Sequence, residues 1–235
     1  MPDKHTLSQF DDDLNNISTM VMEMGGLVES QLRQAIAGLV HMDAATCEVV
    51  CDHEQEVNAY EVKLDHEITS VISRRQPAAR DLRLLMAISR ITSNLERAGD
   101  EAHRMARMVK LILESGQQST LPVNELRQAS EMASNLLRRS LDAFARQDAQ
   151  LAAVIIKEDD DLDAEYNSFM RVLVTYIMED PRAISPSINL LFLAKAIERV
   201  GDHAKNIAES TIYVVQGEDV RHQPHANVDD VVKGL

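Results

Sequence analysis

Apolar residues recur every three or four positions through most of this chain. Val21, Met24, Val28, Leu32, Ile36 and Leu39 form one such stripe, the mark of an amphipathic helix, here spanning Leu7 to about His41. Asp43 breaks the run and caps a second helix, which reaches about Arg75 through Val50, Val57, Leu64, Ile68 and Val71 and stops at Gln76-Pro77. A third runs from about Arg80 to Glu114 through Leu84, Ile88, Ile91, Leu95, Ala102, Met105 and Val109. The stretch SGQQSTLPVNE, residues 115–125, is the clearest loop. The pattern then restarts, with helices from about Val123 to Arg146, Ala149 to Glu179 and, after the turn EDPRAISPS, Ile188 to Val215. Beyond Gly217 the segment EDVRHQPHANVDDVVKGL loses its period and is expected to be a mobile tail.

The restart is a repeat. Displaced by 105 positions, Leu32, Arg33, Asp43, Ala44 and Ala59 fall on Leu137, Arg138, Asp148, Ala149 and Ala164. Past the turn between the second and third helices the offset becomes 102, and ERAGD (96–100) falls on ERVGD (198–202). Long helices joined by short turns pack antiparallel. The chain is therefore expected to be all-α, two tandem antiparallel three-helix bundles related by an internal repeat. The boundaries are 1–116 and 122–217, with 218–235 as the tail.

Composition agrees: 45% hydrophobic, only 3% aromatic, eleven Met, and few breakers in eight Gly and six Pro. The formal charge of −14 argues against nucleic acid and anionic lipid as partners and favours a basic protein surface or a cation. Cys47 and Cys51 are too few for a disulfide framework and suit a reducing compartment. No apolar run of 18 residues occurs, so membrane insertion is not expected and the protein reads as cytoplasmic.

The chemistry lies in the doubled Glu-Arg-x-Gly-Asp. With Leu95 at the centre of the buried stripe, Gly99 falls about 40° away and Glu96 and Asp100 about 100° and 140° away, at ~100° per residue. Glycine costs about 1 kcal/mol against alanine inside a helix, so a close approach by a neighbouring helix is expected there. Paired carboxylates at the border of a core repel and call for a counterion. The second helix adds Glu54, Asn58, Glu61 and Asp65 along one flank. In the second copy Asp159 and Asp163 replace Glu54 and Asn58, while Tyr166 and Met170 stand where Glu61 and Asp65 would be. Together with Glu96, Asp100, Glu198 and Asp202, these residues predict two clusters rich in oxygen donors, suited to Mg²⁺, Mn²⁺ or iron. Glu209 lies two to three turns beyond Glu198 and Asp202 on the same helix.

The competing reading is ordinary ion pairing, with Arg97–Glu101 and Asp100–Arg104 along one helix and Arg199 reaching a neighbouring helix. In the second copy Asn206 replaces Arg104, so no internal cation is expected to compete there. A di-metal carboxylate enzyme is the alternative in another class, but its two Glu-x-x-His steps are missing. A metal-free scaffold is the third reading.

The segments NLERAGDEAHRMA (94–106), AIERVGDHAKNIAE (196–209), EQEVNAYE (54–61), EDDDLDAEY (158–166) and TYIMEDP (175–181) resemble the PhoU family of phosphate-uptake regulators, over roughly residues 7–217. The resemblance implies a non-enzymatic cytoplasmic adaptor, often dimeric. It would act between the phosphate-specific ABC transporter and its linked sensor histidine kinase, restraining uptake and signalling when phosphate is plentiful. It also implies metal-holding E/D-x-x-x-D motifs. Glu96, Asp100, Glu198, Asp202, Asp159 and Asp163 match these directly, whereas Asn58 departs from the pattern after Glu54.

Overall fold

The structure is a computed structural model that describes residues 4–116 and 121–234. All regular structure among them is helical: α1 Lys4–His41, α2 Ala44–Asp52, α3 Glu54–Arg75, α4 Ala79–Glu114, α5 Leu126–Arg146, α6 Ala149–Glu179, α7 Ile184–Gln216 and α8 His225–Lys233. Residues 117–120 of the expected loop lie outside the described residues; past them, Val123–Glu125 is a single 3-10 turn leading into α5.

The repeat extends to backbone hydrogen bonds. After α1, Met42 takes a left-handed φ of 49°, and the N–H of Asp43 reaches the carbonyl of Gly38 at 3.0 Å. After α5, Gln147 does the same with φ 52°, and the N–H of Asp148 reaches Ala143 at 2.9 Å. Each aspartate then caps the next helix, Asp43 accepting from the N–H of Ala45 at 3.0 Å and Asp148 from that of Leu151 at 2.9 Å. One turn, used twice with an offset of 105, sets the antiparallel return of both bundles.

α1, α2–α3 and α4 form the first bundle, and α5, α6 and α7 the second. α4 and α7 are the most extensively packed pair, so the buried residues form one continuous core rather than two separate ones. Contacts from Glu101 to Arg199, Asn94 to His203 and Arg90 to Tyr213 show that the two run antiparallel. The helices carrying ERAGD and ERVGD therefore cross side by side at the centre of the molecule.

Three expectations are corrected. The second helix is divided at His53, whose carbonyl is shared by the N–H groups of Glu56 at 3.2 Å and Val57 at 3.4 Å. Glu54 and Glu56 open α3 where acidic residues suit a helix N-terminus. α7 begins at Ile184, not Ile188, because Pro186 lies in its first turn, where no intrahelical donor is needed. The segment after Gly217 is not devoid of regular structure: it carries α8, with Val220 and Val228 buried. Lys157 holds α8 through both oxygens of Asp229 at 2.7 Å. No helix of the described residues is long and apolar enough to cross a membrane.

Candidate functional site

The glycines of the two motifs occupy different surroundings. A Cβ on Gly201 would collide with Leu162 Cδ2 and fall 2.9 Å from Asp159 Oδ1. Only glycine lets α6 approach closely enough to bring the Asp159 carboxylate beside the motif. A Cβ on Gly99 would meet nothing nearer than Gln31 Oε1 at 3.2 Å. Gly201→Ala is therefore expected to lose roughly 1–2 kcal/mol, since overpacking outweighs the gain in helix propensity. Gly99→Ala is expected to be neutral or slightly stabilising. Urea unfolding of the two variants side by side checks this, and equal stabilities would remove the argument for the Asp159 cradle.

In the second bundle α6 and α7 bring Asp159, Asp163, Glu198 and Asp202 together. Asp159 is 2% exposed and Glu198 9%. Burial pushes the Asp159 carboxyl above its ordinary range, with Asp163 and Asp160 adding to the rise against Lys205. Burial likewise raises Asp202, whose charged neighbours include Asp159 and Asp163. Glu198 is raised by burial, with further contributions from Asp202 and Asp163 and opposition from Lys195. The four acids thus share one strained electrostatic environment.

The expectation that no internal cation competes here is overturned. Lys205 Nζ donates to Asp159 at 3.1 Å, and Lys195 Nζ lies 2.5 Å from both oxygens of Glu198 while stacking over Tyr166 at 5.3 Å. Lys195 pairs at i,i+3 and Lys205 reaches Asp159 on the neighbouring helix, so neither pairing shows in an i,i+4 spacing. Asn206 instead donates to Asn94 across the bundle interface at 3.0 Å.

In the first bundle α3 and α4 bring together Glu54, Glu61, Glu96 and Asp100. Burial raises Glu96, and Asp100, Glu61 and Glu54 raise it further. Burial raises Glu61, helped by Asp65 and Asp100, and raises Asp100, helped by Glu54. Asp65 and Asn58 are exposed on α3. Glu54 pairs with His103, and Glu54, Asp100, His103, Arg104 and Arg107 line a small cleft of about 210 Å³.

Between the bundles, Asp100 and Asp202 open into one cleft of about 400 Å³ with Arg97, Glu101, Arg199, His203 and Asn206. Glu101 is buried and pairs with Arg199 across the interface at 3.1 Å and with Arg104 at 3.5 Å. The expected bridge from Arg199 to a neighbouring helix is therefore present, but Glu101 takes Arg199 where Arg97 was expected. Glu209 lies apart from Glu198, in a cleft of about 510 Å³ beneath the C-terminal segment with Asp202, Arg221 and His222.

Among the described residues no three His, Cys, Asp or Glu side chains converge closely enough to hold one ion as they stand. The ten predicted ligands are thus gathered into two acidic groups, with Asn58 and Asp65 at the margin, and do not form ready-made coordination spheres. In the second group Lys195 and Lys205 each occupy a carboxylate, and in the first His103 occupies Glu54. The donor chemistry nevertheless fits a hard cation: partly buried oxygen ligands whose carboxyls are raised by burial and by one another's negative charge.

Two antiparallel three-helix units, each carrying the same acidic motif on its third helix and packed through those helices, define a tandem-repeat helical-bundle protein built around paired carboxylates. The chain belongs to the PhoU family: the PhoU domain profile matches residues 21–109 and 126–211, one copy on each bundle. It is 46% identical over 223 residues to a Burkholderia phosphate-specific transport system accessory protein PhoU homolog, covering 94% of this chain and 95% of that one. The Escherichia coli K12 phosphate-specific transport system accessory protein PhoU is 40% identical over 232 residues, 98% of this chain and 95% of that protein. The crystal structure of PhoU from Pseudomonas aeruginosa superposes with a TM-score of 0.86 at 41% identity, over 89% of this chain and all of that one. A Streptococcus pneumoniae phosphate transport system regulatory protein PhoU follows at 0.83 and 25%, over 90% of this chain and 99% of that one.

Proposed function

We propose that this protein is a non-enzymatic cytoplasmic accessory of phosphate transport. When phosphate is plentiful it restrains the phosphate-specific ABC transporter and keeps the associated sensor kinase from signalling starvation, acting as a homodimer. One observation carries the reading: the family match spans both bundles and contains both Glu-Arg-x-Gly-Asp motifs. The names of the relatives, all accessory or regulatory proteins of phosphate transport, support the same role.

Mg²⁺, Mn²⁺ or iron belongs to this reading as a structural neutraliser. Asp159, Asp163, Glu198 and Asp202 would hold one group of ions, and Glu54, Glu61, Glu96 and Asp100 the other. Bound cations supply positive charge that offsets the repulsion within each group. The chain's own residues do the rest: Gly201 keeps α6 close, and Lys195 and Lys205 hold two of the carboxylates.

The test is complementation of a strain lacking its own relative of this protein. The wild-type chain is expected to return phosphate uptake to its restrained level and to silence a starvation-responsive promoter in phosphate-rich medium. Unrestrained uptake despite normal expression would refute the role. The double variant Glu198→Gln, Asp202→Asn, purified without a histidine tag, is expected to carry less metal by elemental analysis. Unchanged stoichiometry would remove those two residues from the ligand set.

A further inference from the structure

The cleft of about 510 Å³ beneath the C-terminal segment holds two carboxylates that nothing in the described chain partners. Asp202 and Glu209, both on α7, line it together with Ile156, Val220, Pro224 and Val228. Glu209 is 9% exposed, and among the described residues neither acid takes a hydrogen bond or an ion pair. Burial raises both carboxyls; Lys205 opposes the rise in each, and His222 and Arg221 oppose it in Glu209. Lys205 is committed instead to Asp159 at 3.1 Å, and Arg221 to Asp219. A carboxylate buried without a partner is costly, so Glu209 calls for positive charge from outside the chain.

The internal repeat shows how the other copy meets the same demand. At the offset of 102, Asp202, Lys205, Asn206 and Glu209 correspond to Asp100, His103, Arg104 and Arg107. The pairing to the neighbouring helix is kept, His103 with Glu54 in one copy and Lys205 with Asp159 in the other. The two guanidinium groups are not kept. In the first bundle Arg104 and Arg107 line the matching cleft beside Asp100, which measures about 210 Å³. In the second an amide and a further acid replace them, and the cleft is more than twice as large. The chain thus places two cations of its own beside Asp100 and removes both beside Asp202.

Spacing selects the kind of cation. Asp202 and Glu209 lie seven residues apart, so they share one face of α7 at a rise of about 10.5 Å. That span is too long for one metal ion, whose oxygen ligands lie about 2.0–2.6 Å away. With an ammonium about 2.8 Å from each carboxylate, about 5 Å remains to be bridged, the reach of a chain of about four carbons. Ile156, Val220, Pro224 and Val228 make much of the remaining lining apolar. Positive charge at both ends with hydrocarbon between them describes a linear aliphatic diamine.

We propose that this cleft binds a linear aliphatic diamine, with one ammonium on Glu209, the other on Asp202 and the C-terminal segment closed over the carbon chain. The test is isothermal titration of the full-length, chelator-treated protein with putrescine, with butylamine and Mn²⁺ in parallel arms and thermal unfolding on every variant. Wild type is expected to bind one putrescine, and to bind butylamine at least tenfold more weakly. Glu209→Gln keeps the shape of the side chain and removes its charge; it is expected to weaken putrescine binding at least tenfold in a protein that still unfolds cooperatively. Glu131→Gln, which removes an exposed charge on α5, is expected to leave binding unchanged.

Equal affinity of wild type for putrescine and butylamine would mean that one carboxylate acts alone and would overturn the proposal; this comparison needs no variant. Equal weakening by Glu131→Gln and Glu209→Gln would reduce the binding to diffuse attraction by a chain at −14, and would overturn it too. Mn²⁺ binding that Glu209→Gln abolishes, with no putrescine binding by wild type, would give the cleft to a metal ion and overturn the choice of ligand.

Discussion

In chelator-treated protein at neutral pH, Lys205→Met is expected to lower the unfolding free energy by about 3 kcal/mol, the low end of the range for stripping one partner from a buried ion pair. For a chain of this length that corresponds to a fall in melting temperature of roughly 6–12 °C. The reasoning starts from Asp159, which is 2% exposed and takes its one direct cation from Lys205 at 3.1 Å. Methionine keeps most of the apolar stem and removes only the charge, so the loss is electrostatic rather than a packing defect. A surface pair provides the scale: Lys110→Met, which breaks a 3.4 Å contact to the exposed Glu48, is expected to cost less than about 1 kcal/mol.

The informative step is adding metal back. A cation that binds only the folded protein stabilises it in proportion to the logarithm of its concentration over Kd, by about 2.7 kcal/mol at a hundredfold excess. If Asp159, Asp163, Glu198 and Asp202 form a metal site, Mn²⁺ recovers most of what Lys205→Met loses, and recovers more for the variant than for wild type because no lysine has to be displaced. A variant that stays destabilised across the whole titration would mean that the second acidic group is an ion-paired structural feature and not a metal site. Acidification separates the two causes further. Asp159 already stands above its ordinary range because it is buried, and losing Lys205 raises it again. The penalty therefore shrinks as pH falls through that raised value, because the neutral acid needs no partner.

How much of this was legible in the sequence depends on whether it involved one helix or two. The stripe of α4 is an example: of the positions its period marks, Ile88, Ile91, Leu95, Ala102, Met105 and Val109 are fully buried, whereas Leu84 is only partly buried and its neighbour Leu85 takes the core position. The twin turns at Met42–Asp43 and Gln147–Asp148 were visible as a repeated Asp-Ala step. The division at His53 was not, because Val50 and Val57 stay buried on either side of it and the apolar stripe continues across one misplaced hydrogen bond. α8 was missed because nine residues hold too few turns to show a period. In the site, the grouping of the acids followed from spacing, since each pair lies on one helix face. The Lys205–Asp159 pair and the choice of Glu101 as the partner of Arg199 did not: they depend on the rotation and register of α7 against α6 and α4, which no spacing within a single helix encodes. Gly201 falls between these cases. Its sequence marks a close approach, but only the structure shows that the approaching residues are Leu162 and Asp159.

His203 is expected to contribute an acid-labile step to stability, and His203→Gln to remove it. Burial, reinforced by Arg97 and Arg199, depresses the His203 imidazole from its ordinary 6.5 to about 4. Its Nδ1 lies 3.1 Å from Asn94 Oδ1 at the α4–α7 interface, an arrangement in which the neutral ring donates. Because the folded value lies below the unfolded one, the stabilising difference is complete above about pH 6.5. It is lost as pH falls toward 4, where the unfolded chain takes up a proton that the folded one refuses. At 1.36 kcal/mol per unit the loss is about 3 kcal/mol. The acidic groups work in the opposite direction: Glu96, Asp100, Asp159, Glu198 and Asp202 are raised when folded, so protonating them on acidification favours the folded state. The profile of wild type without metal sums these opposing contributions, and comparison with His203→Gln isolates the histidine's share. Removing the histidine leaves the carboxylate contribution alone, so His203→Gln should grow more stable relative to wild type by about 3 kcal/mol over that interval. Urea unfolding at several pH values in chelator-treated buffer measures the difference directly, and parallel profiles for the two proteins would show that His203 titrates normally and that the α4–α7 interface tolerates its charge.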